Sequence, residues 1–232
     1  MATPQGPLAR YQALCIDTVD PIAASRFWAP ALGLTATIAT DGDVRLEGPT
    51  PTHLVWLNKV PEPKSVKNRL HVDVFTGSLT ELEALGARQL QTFARWTIMA
   101  DPEGQEFCAF VRPAPVTGPR LKDLAVDSND PERIARWWQQ VLGGTLDRDP
   151  EEPWWWLDGI EGAPFESIDF GEVPEHKSAK NRLHIDIELA RPDDLLDLGA
   201  TLIRRPDDDI SWTVMADPDG NEFCAFEVPP PA

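Results

Sequence analysis

The sequence predicts an α+β fold of two tandem domains, each a pair of βαβββ modules. Three observations lead there. First, whole phrases recur. "KSVKNRLHVDV" at 64–74 returns as "KSAKNRLHIDI" at 177–187 with 8 of 11 residues identical, and "WTIMADPEGQEFCAF" at 96–110 returns as "WTVMADPDGNEFCAF" at 212–226 with 12 of 15 identical. Second, each half runs strand, helix and several short strands, and then repeats that order. Third, "RPAPVTGPR" at 112–120 holds three prolines and a glycine, which is linker composition. A repeat of this length marks a copied structural unit, so the domains are 8–113 and 119–229.

The elements follow in order. "YQALCIDTV" (11–19) alternates as a strand. "DPIAASRFWAPALG" (20–33) opens on Asp-Pro and closes on Gly33, with Ala24, Phe27, Trp28 and Leu32 at helical spacing. Short strands are expected at 34–40, 44–47 and 53–58. After the connection "VPEPKSVKN" come the strand "RLHVDVF" (69–75), the helix "SLTELEALG" (78–86) and strands near 88–93, 96–100 and 106–111. "DPEGQEF" and "DPDGNEF" read as tight turns in which glycine supplies the positive φ. The second domain takes the same course, with "DPERIARWWQQVLG" (130–143) and "RPDDLLDLG" (191–199) as its helices.

Bulk properties exclude several classes. A net charge of −17 repels phosphate backbones and anionic membranes, so no nucleic acid or membrane partner is expected. No apolar run reaches membrane-spanning length, and "MATPQGPLARYQ" lacks the apolar core of a signal peptide. Three cysteines make no disulfide framework and point to a reducing cytoplasm.

Taken together, the doubled βαβββ order, "DPIAASRFWAPALG" and "DPERIARWWQQVLG" early in each half, and "ADPEGQEFCAF" and "ADPDGNEFCAF" late in it resemble the vicinal oxygen chelate superfamily. That is the glyoxalase, bleomycin-resistance and dioxygenase group, here as tandem glyoxalase-like domains of a kind common in actinobacterial proteins. The resemblance implies curled, mostly antiparallel sheets whose cups often hold a metal. It implies ligands from the first strand, the strand opening the second module, and the last strand, with one from the fourth strand in some members. Carried onto this chain, these positions are Ala13, His71 and Cys108 in domain one, and Asp123, His184 and Cys224 in domain two.

Strand alternation places Asp73 beside His71 and Asp186 beside His184, with the intervening valines and isoleucines on the opposite face. "WWWLDG" (154–159) aligns with "DVRLEG" (43–48), which makes Trp155 and Trp156 candidates for an aromatic wall. The expected ligand set is therefore Asp123, His184, Asp186, Cys224, Trp155 and Trp156, with His71, Asp73 and Cys108 in the other domain.

Functionally, the reading is a cytoplasmic protein, monomer or homodimer, that binds a small molecule in a cup, mainly in domain two. It acts as a resistance or sequestration factor or as a metal-independent enzyme, with no cofactor and no assigned catalytic residue. One alternative is a metal-dependent lyase, isomerase or dioxygenase holding a divalent metal on Asp123, His184 and Cys224. Another is an interaction module with vestigial cups.

Overall fold

Each module forms where the sequence pattern asks for it. Module one comprises β1 (Ala9–Thr18), α1 (Pro21–Leu32), β2 (Thr35–Ile38), β3 (Val44–Glu47) and β4 (Leu54–Lys59). Module two comprises β5 (Leu70–Thr76), α2 (Leu79–Ala84), β6 (Arg88–Thr92), β7 (Thr97–Ala100) and β8 (Glu106–Val111). Module three comprises β9 (Leu121–Ser128), α3 (Pro131–Leu142), β10 (Thr145–Arg148), β11 (Trp154–Asp158) and β12 (Ser167–Glu172). Module four comprises β13 (Leu183–Leu189), a 3-10 turn (Pro192–Leu195), β14 (Thr201–Arg204), β15 (Thr213–Ala216) and β16 (Glu222–Glu227). The structure, a computed structural model, describes residues 6–113 and 115–229. Ala114 of the expected linker and residues 1–5 and 230–232 lie outside the described residues.

The helix signals act as caps. Asp20 accepts a hydrogen bond from the Ala23 amide at 3.0 Å, Pro21 occupies the first turn, and Gly33 ends α1 at a φ of 66°. The expected helix at 191–199 is shortened to the 3-10 turn. Its counterpart α2 is capped by the Ser78 side chain, whereas Arg191 provides no side-chain cap. Without that acceptor the first-turn amides close i→i+3 bonds instead, Asp194 to Arg191 and Leu196 to Asp193.

The strands form two eight-stranded sheets, ordered β14-β15-β16-β13-β1-β4-β3-β2 and β10-β11-β12-β9-β5-β8-β7-β6. Each sheet is a pair of βαβββ modules and mostly antiparallel; the parallel pairs are β1·β4, β13·β16, β5·β8 and β9·β12. The pairing runs across the repeat. Module one shares its sheet with module four through β1·β13, and module two shares with module three through β5·β9.

What binds the two modules of one repeat is side-chain packing. Trp28 of α1 contacts Phe107 of β8 at 5.5 Å between ring centroids, and its indole nitrogen donates to Asp101 at 3.0 Å. The second repeat copies the arrangement, with Trp138 against Phe223 at 5.5 Å and bonded to Asp217 at 3.2 Å. Each aspartate also accepts from its own turn, at the amides of residues 103 and 105 or 219 and 221. The turn thus anchors the helix that covers it. The helix-facing sides of both sheets form one continuous apolar core containing Leu14, Val72, Leu124 and Ile185. The opposite, open faces carry the polar residues.

Separated at the linker, either half leaves its central strand, β1 with β5 or β9 with β13, without its antiparallel partner. Residues 8–113 expressed alone should therefore be unfolded or pair as dimers. Sedimentation of a folded, monomeric half would contradict this.

Candidate functional site

Two open faces result, and each draws its side chains from both repeats. On the β5–β8/β9–β12 sheet, alternation turns His71 and Asp73 away from the buried Val72 and Val74. Register then sets Asp123 opposite Asp73 and Ala125 opposite His71, with Cys108 beside Asp73 on the next strand. Asp169 of β12 completes the group. Ligand atoms of His71, Asp73 and Cys108 lie within 4.8 Å of one another, as do those of Asp73, Asp123 and Asp169.

A bulge supplies a further group. Asp73 pairs with Asp123 but Val74 pairs with Leu121, which leaves Lys122 as the extra residue. Its ammonium contacts the fully buried Asp123 carboxylate and lies 4.7 Å from the Phe110 ring centroid. Asp123 also accepts from the amide and hydroxyl of Ser167, both at 3.0 Å, and that hydroxyl lies 2.6 Å from Asp169. One hydroxyl proton cannot serve two carboxylates. Burial raises the Asp169 pKa to about 6, with the Asp73 charge adding to the rise and Ser167 and Lys122 opposing it. His71 Nδ1 lies 3.4 Å from Asp73 Oδ1, and both atoms are buried without a hydrogen-bond partner. Burial would lower the His71 pKa, but Asp73 and Cys108 outweigh it and hold the imidazole well above its usual value. A histidine and a carboxyl brought to one open face are groups of the kind that general acid–base chemistry uses.

Aromatic walls flank the polar centre. Trp96 stacks on Phe93 and on Phe110, at 5.0 and 6.1 Å. On the other flank Trp156 stands opposite Asp169, and Trp154 lies so close to Gly171 that a Cβ there would meet its ring at 2.4 Å. Trp155, expected as a ligand contact, instead packs against the apolar core with the Arg136 guanidinium 5.2 Å from its ring centroid. The odd-even pleat of one strand makes that division.

The second face, on β1–β4/β13–β16, carries His184, Asp186 and Cys224 together with Cys15, which lies directly opposite His184. The grouping Asp123, His184 and Cys224 is therefore not one site. Asp123 and the tryptophan strand share a face with His71, and the reason is that β9 pairs with β5 and not with β13. The expectation of a ligand cup confined to domain two is corrected in the same way: each face takes half its strands from each domain.

Three residues escaped the sequence reading. Asp169 occupies the fourth-strand position that the resemblance left open, and Lys122 enters through a bulge that periodicity does not show. Cys15 was legible, since it follows Ala13 by two residues and so shares its face. None of the thiols is activated. Burial raises the pKa of Cys15, Cys108 and Cys224 alike, which opposes a thiolate nucleophile. Arg69 and Arg182 serve structure, donating to the carbonyls of Glu175 and Glu62 at 2.6 and 2.7 Å across a cleft of about 360 Å³.

A family model described as "Glyoxalase-like domain" matches residues 13–110 and 123–226. The chain belongs to the glyoxalase-like domain family. Among solved structures, glyoxalase I from Zea mays is similar, at 13% identity and a TM-score of 0.65, covering 94% of this chain and 92% of that one. A point mutant of the same maize glyoxalase I matches at 14% identity and 0.65, covering 95% and 94%. The cppA protein of Streptococcus pneumoniae TIGR4 matches at 12% identity and 0.53, covering 96% and 99%. At these identities the likeness concerns the fold. No curated protein sequence matches. Within this glyoxalase-like chain the described residues contain no helix long and apolar enough to cross a membrane.

The raised Asp169 has a measurable consequence. A carboxyl whose pKa rises on folding, here from 3.8 to about 6, favours the folded state below the lower value. That contribution is lost as pH climbs through the higher one. Asp169→Asn should therefore stabilise the protein at pH 8 by on the order of 1–2 kcal/mol, with the gain fading near pH 4. Urea unfolding at the two pH values measures it; an equal gain at both would assign the effect to another cause.

Proposed function

We propose that this glyoxalase-like protein binds a small molecule on the open face of the β5–β8/β9–β12 sheet, as a cytoplasmic sequestering protein or a metal-independent enzyme. The observation that carries the reading is the Lys122 ammonium on Asp123. It supplies from within the chain a positive charge beside the carboxylates and occupies an oxygen that a metal would need. Around it stand the polar anchors His71, Asp73 and Asp169 and the indoles of Trp96, Trp154 and Trp156. Convergent polar groups between apolar walls are what a small-molecule site requires. His71 donates and Asp169 accepts a proton in such a site, and Lys122 orients an anionic or carbonyl oxygen of the ligand.

A specific observation favours a second reading, a metal-dependent enzyme. Three carboxylates and an imidazole suit a divalent ion, and Asp73 Oδ1 is buried without a partner. Asp73 would hold the ion either with His71 and Cys108 or with Asp123 and Asp169, and it would supply Lewis-acid polarisation of a bound oxygen.

Tryptophan fluorescence titrated with a panel of aromatic carboxylates and aromatic amines tests the first reading. Trp156→Ala should weaken binding by about 1–3 kcal/mol, the scale of an apolar side-chain contact. Trp155→Ala should lower stability and leave affinity unchanged. Elemental analysis decides between the readings: stoichiometric metal that Asp169→Asn removes selects the metal-dependent one. A panel bound equally by wild type, Trp156→Ala and Lys122→Gln would place the ligand elsewhere.

A further inference from the structure

We propose that the cleft between the connections 60–68 and 173–181 is a second ligand site. It seats the carboxylate or phosphate group of a small anion on the guanidinium of Arg182, with Arg69 as the matching donor from the other repeat. None of the residues assigned to the small-molecule site takes part, so either site can fail alone.

The near-identical phrases "VPEPKSVKN" and "VPEHKSAKN" form the two walls of this cleft. Each wall is clasped by the arginine that follows the other. Arg69 Nη1 donates to the Glu175 carbonyl at 2.6 Å, and Arg182 Nη1 to the Glu62 carbonyl at 2.7 Å. That clasp uses one nitrogen of each guanidinium. Nε of Arg69 and both Nε and Nη2 of Arg182 are buried with no hydrogen-bond acceptor among the described residues.

Arg182 is only 7% exposed, which makes its unmatched nitrogens the more demanding. Its ion-pair partner Glu103 stands 3.7 Å from Nη2, beyond hydrogen-bond reach. Glu103 is committed elsewhere, since its carboxylate accepts from the Thr18 hydroxyl and from the amides of Val19 and Asp20, both at 3.3 Å. A buried cation with unmatched donors is costly, and an oxyanion offsets that cost. Nε and Nη2 form the guanidinium edge that grips two oxygens of one carboxylate or phosphate.

The lysines of the cleft are already matched, Lys67 by Asp127 and Lys180 by Asp17, so an anion is drawn to the arginines. Glu62 and Glu175 also line the walls and oppose a guest of dense negative charge. A volume of about 360 Å³ lies at the small end of ligand pockets, which limits the guest to a small molecule. The free arginine edges are buried while the clasp is shut. Most of residues 62–67 and 175–180 are exposed, so the anion enters as one wall swings away from the guanidinium that holds it.

The probes are inorganic phosphate and succinate, titrated into the full-length protein at constant ionic strength with chloride as the control. In heteronuclear NMR the side-chain Nε–H signals of Arg69 and Arg182 should shift saturably with at least one probe and not with chloride. The dissociation constant should fall below about 1 mM. Which probe binds tighter tells a phosphate source from a carboxylate one, and the readout needs no variant. By calorimetry, Arg182→Lys keeps the charge but loses the fork and should weaken binding about tenfold or more, the scale of one hydrogen bond to a charged group. Arg69→Lys should weaken it too, and stands in should Arg182→Lys fail to fold; Lys122→Gln should bind as wild type does. The proposal is overturned if neither probe moves the arginine signals, if both lysine variants bind as tightly as wild type, or if Lys122→Gln is the variant that weakens binding.

Discussion

The antiparallel pairing of β1 with β13 and of β5 with β9 is the constraint on which the molecule depends. These ladders join residues 9–16 to 183–189 and residues 70–74 to 121–126, far apart in the chain and one from each repeat. Main-chain hydrogen bonds therefore hold the repeats to each other, while aromatic packing of Trp28 on Phe107 and of Trp138 on Phe223 holds each repeat together. The two kinds of force act along different seams. A sheet is thus an inter-repeat object, and each Trp–Phe helix–strand contact is an intra-repeat one, so neither half is complete without the other.

The same ladders position the chemistry. Each contains one bulge, between Tyr11 and Ala13 on β1 and between Leu121 and Asp123 across from Val74 and Asp73 on β5. An extra residue in an antiparallel pair departs from strict alternation. Gln12 and Lys122 consequently occupy equivalent places, and one neutral amide against one ammonium gives otherwise similar faces different electrostatic requirements.

Electrostatics then separates the two faces further. Asp123 and Ala125 on β9 correspond to Ala13 and Cys15 on β1, so one strand face carries an acid at the first position and the other a thiol two residues along. Asp169 stands where the other sheet has Trp56. One face gathers carboxylates around an ammonium, and the other gathers thiols around a single carboxylate. Burial raises the pKa of both Asp169 and Asp186, because dry surroundings penalise the charged form. On the first face the chain itself supplies a compensating cation, the Lys122 ammonium.

The sequence by itself determined the repeat, the element order, the capped helices and the family, because these rest on local patterns: period-two alternation, Asp-Pro caps, Gly33, and turns of the Asp-Pro-x-Gly type. It also determined that His71 shares a face with Asp73 and His184 with Asp186, since side-chain direction within a strand is a local property. The short final helix was misjudged for an equally local reason, the missing cap at Arg191. Only the tertiary structure decided which strands became neighbours. Two modules as alike as "RLHVDVF" and "RLHIDIE" offer nearly the same edge to a partner, so local patterns alone do not say whether β5 pairs with β9 or with β1. That choice put Asp123 with His71 instead of His184. It also brought Cys15 across from the imidazole of His184, at the far end of the chain, since the two are paired in register. Strand pairing is non-local, and a functional site assembled by it is legible only once the chain has folded.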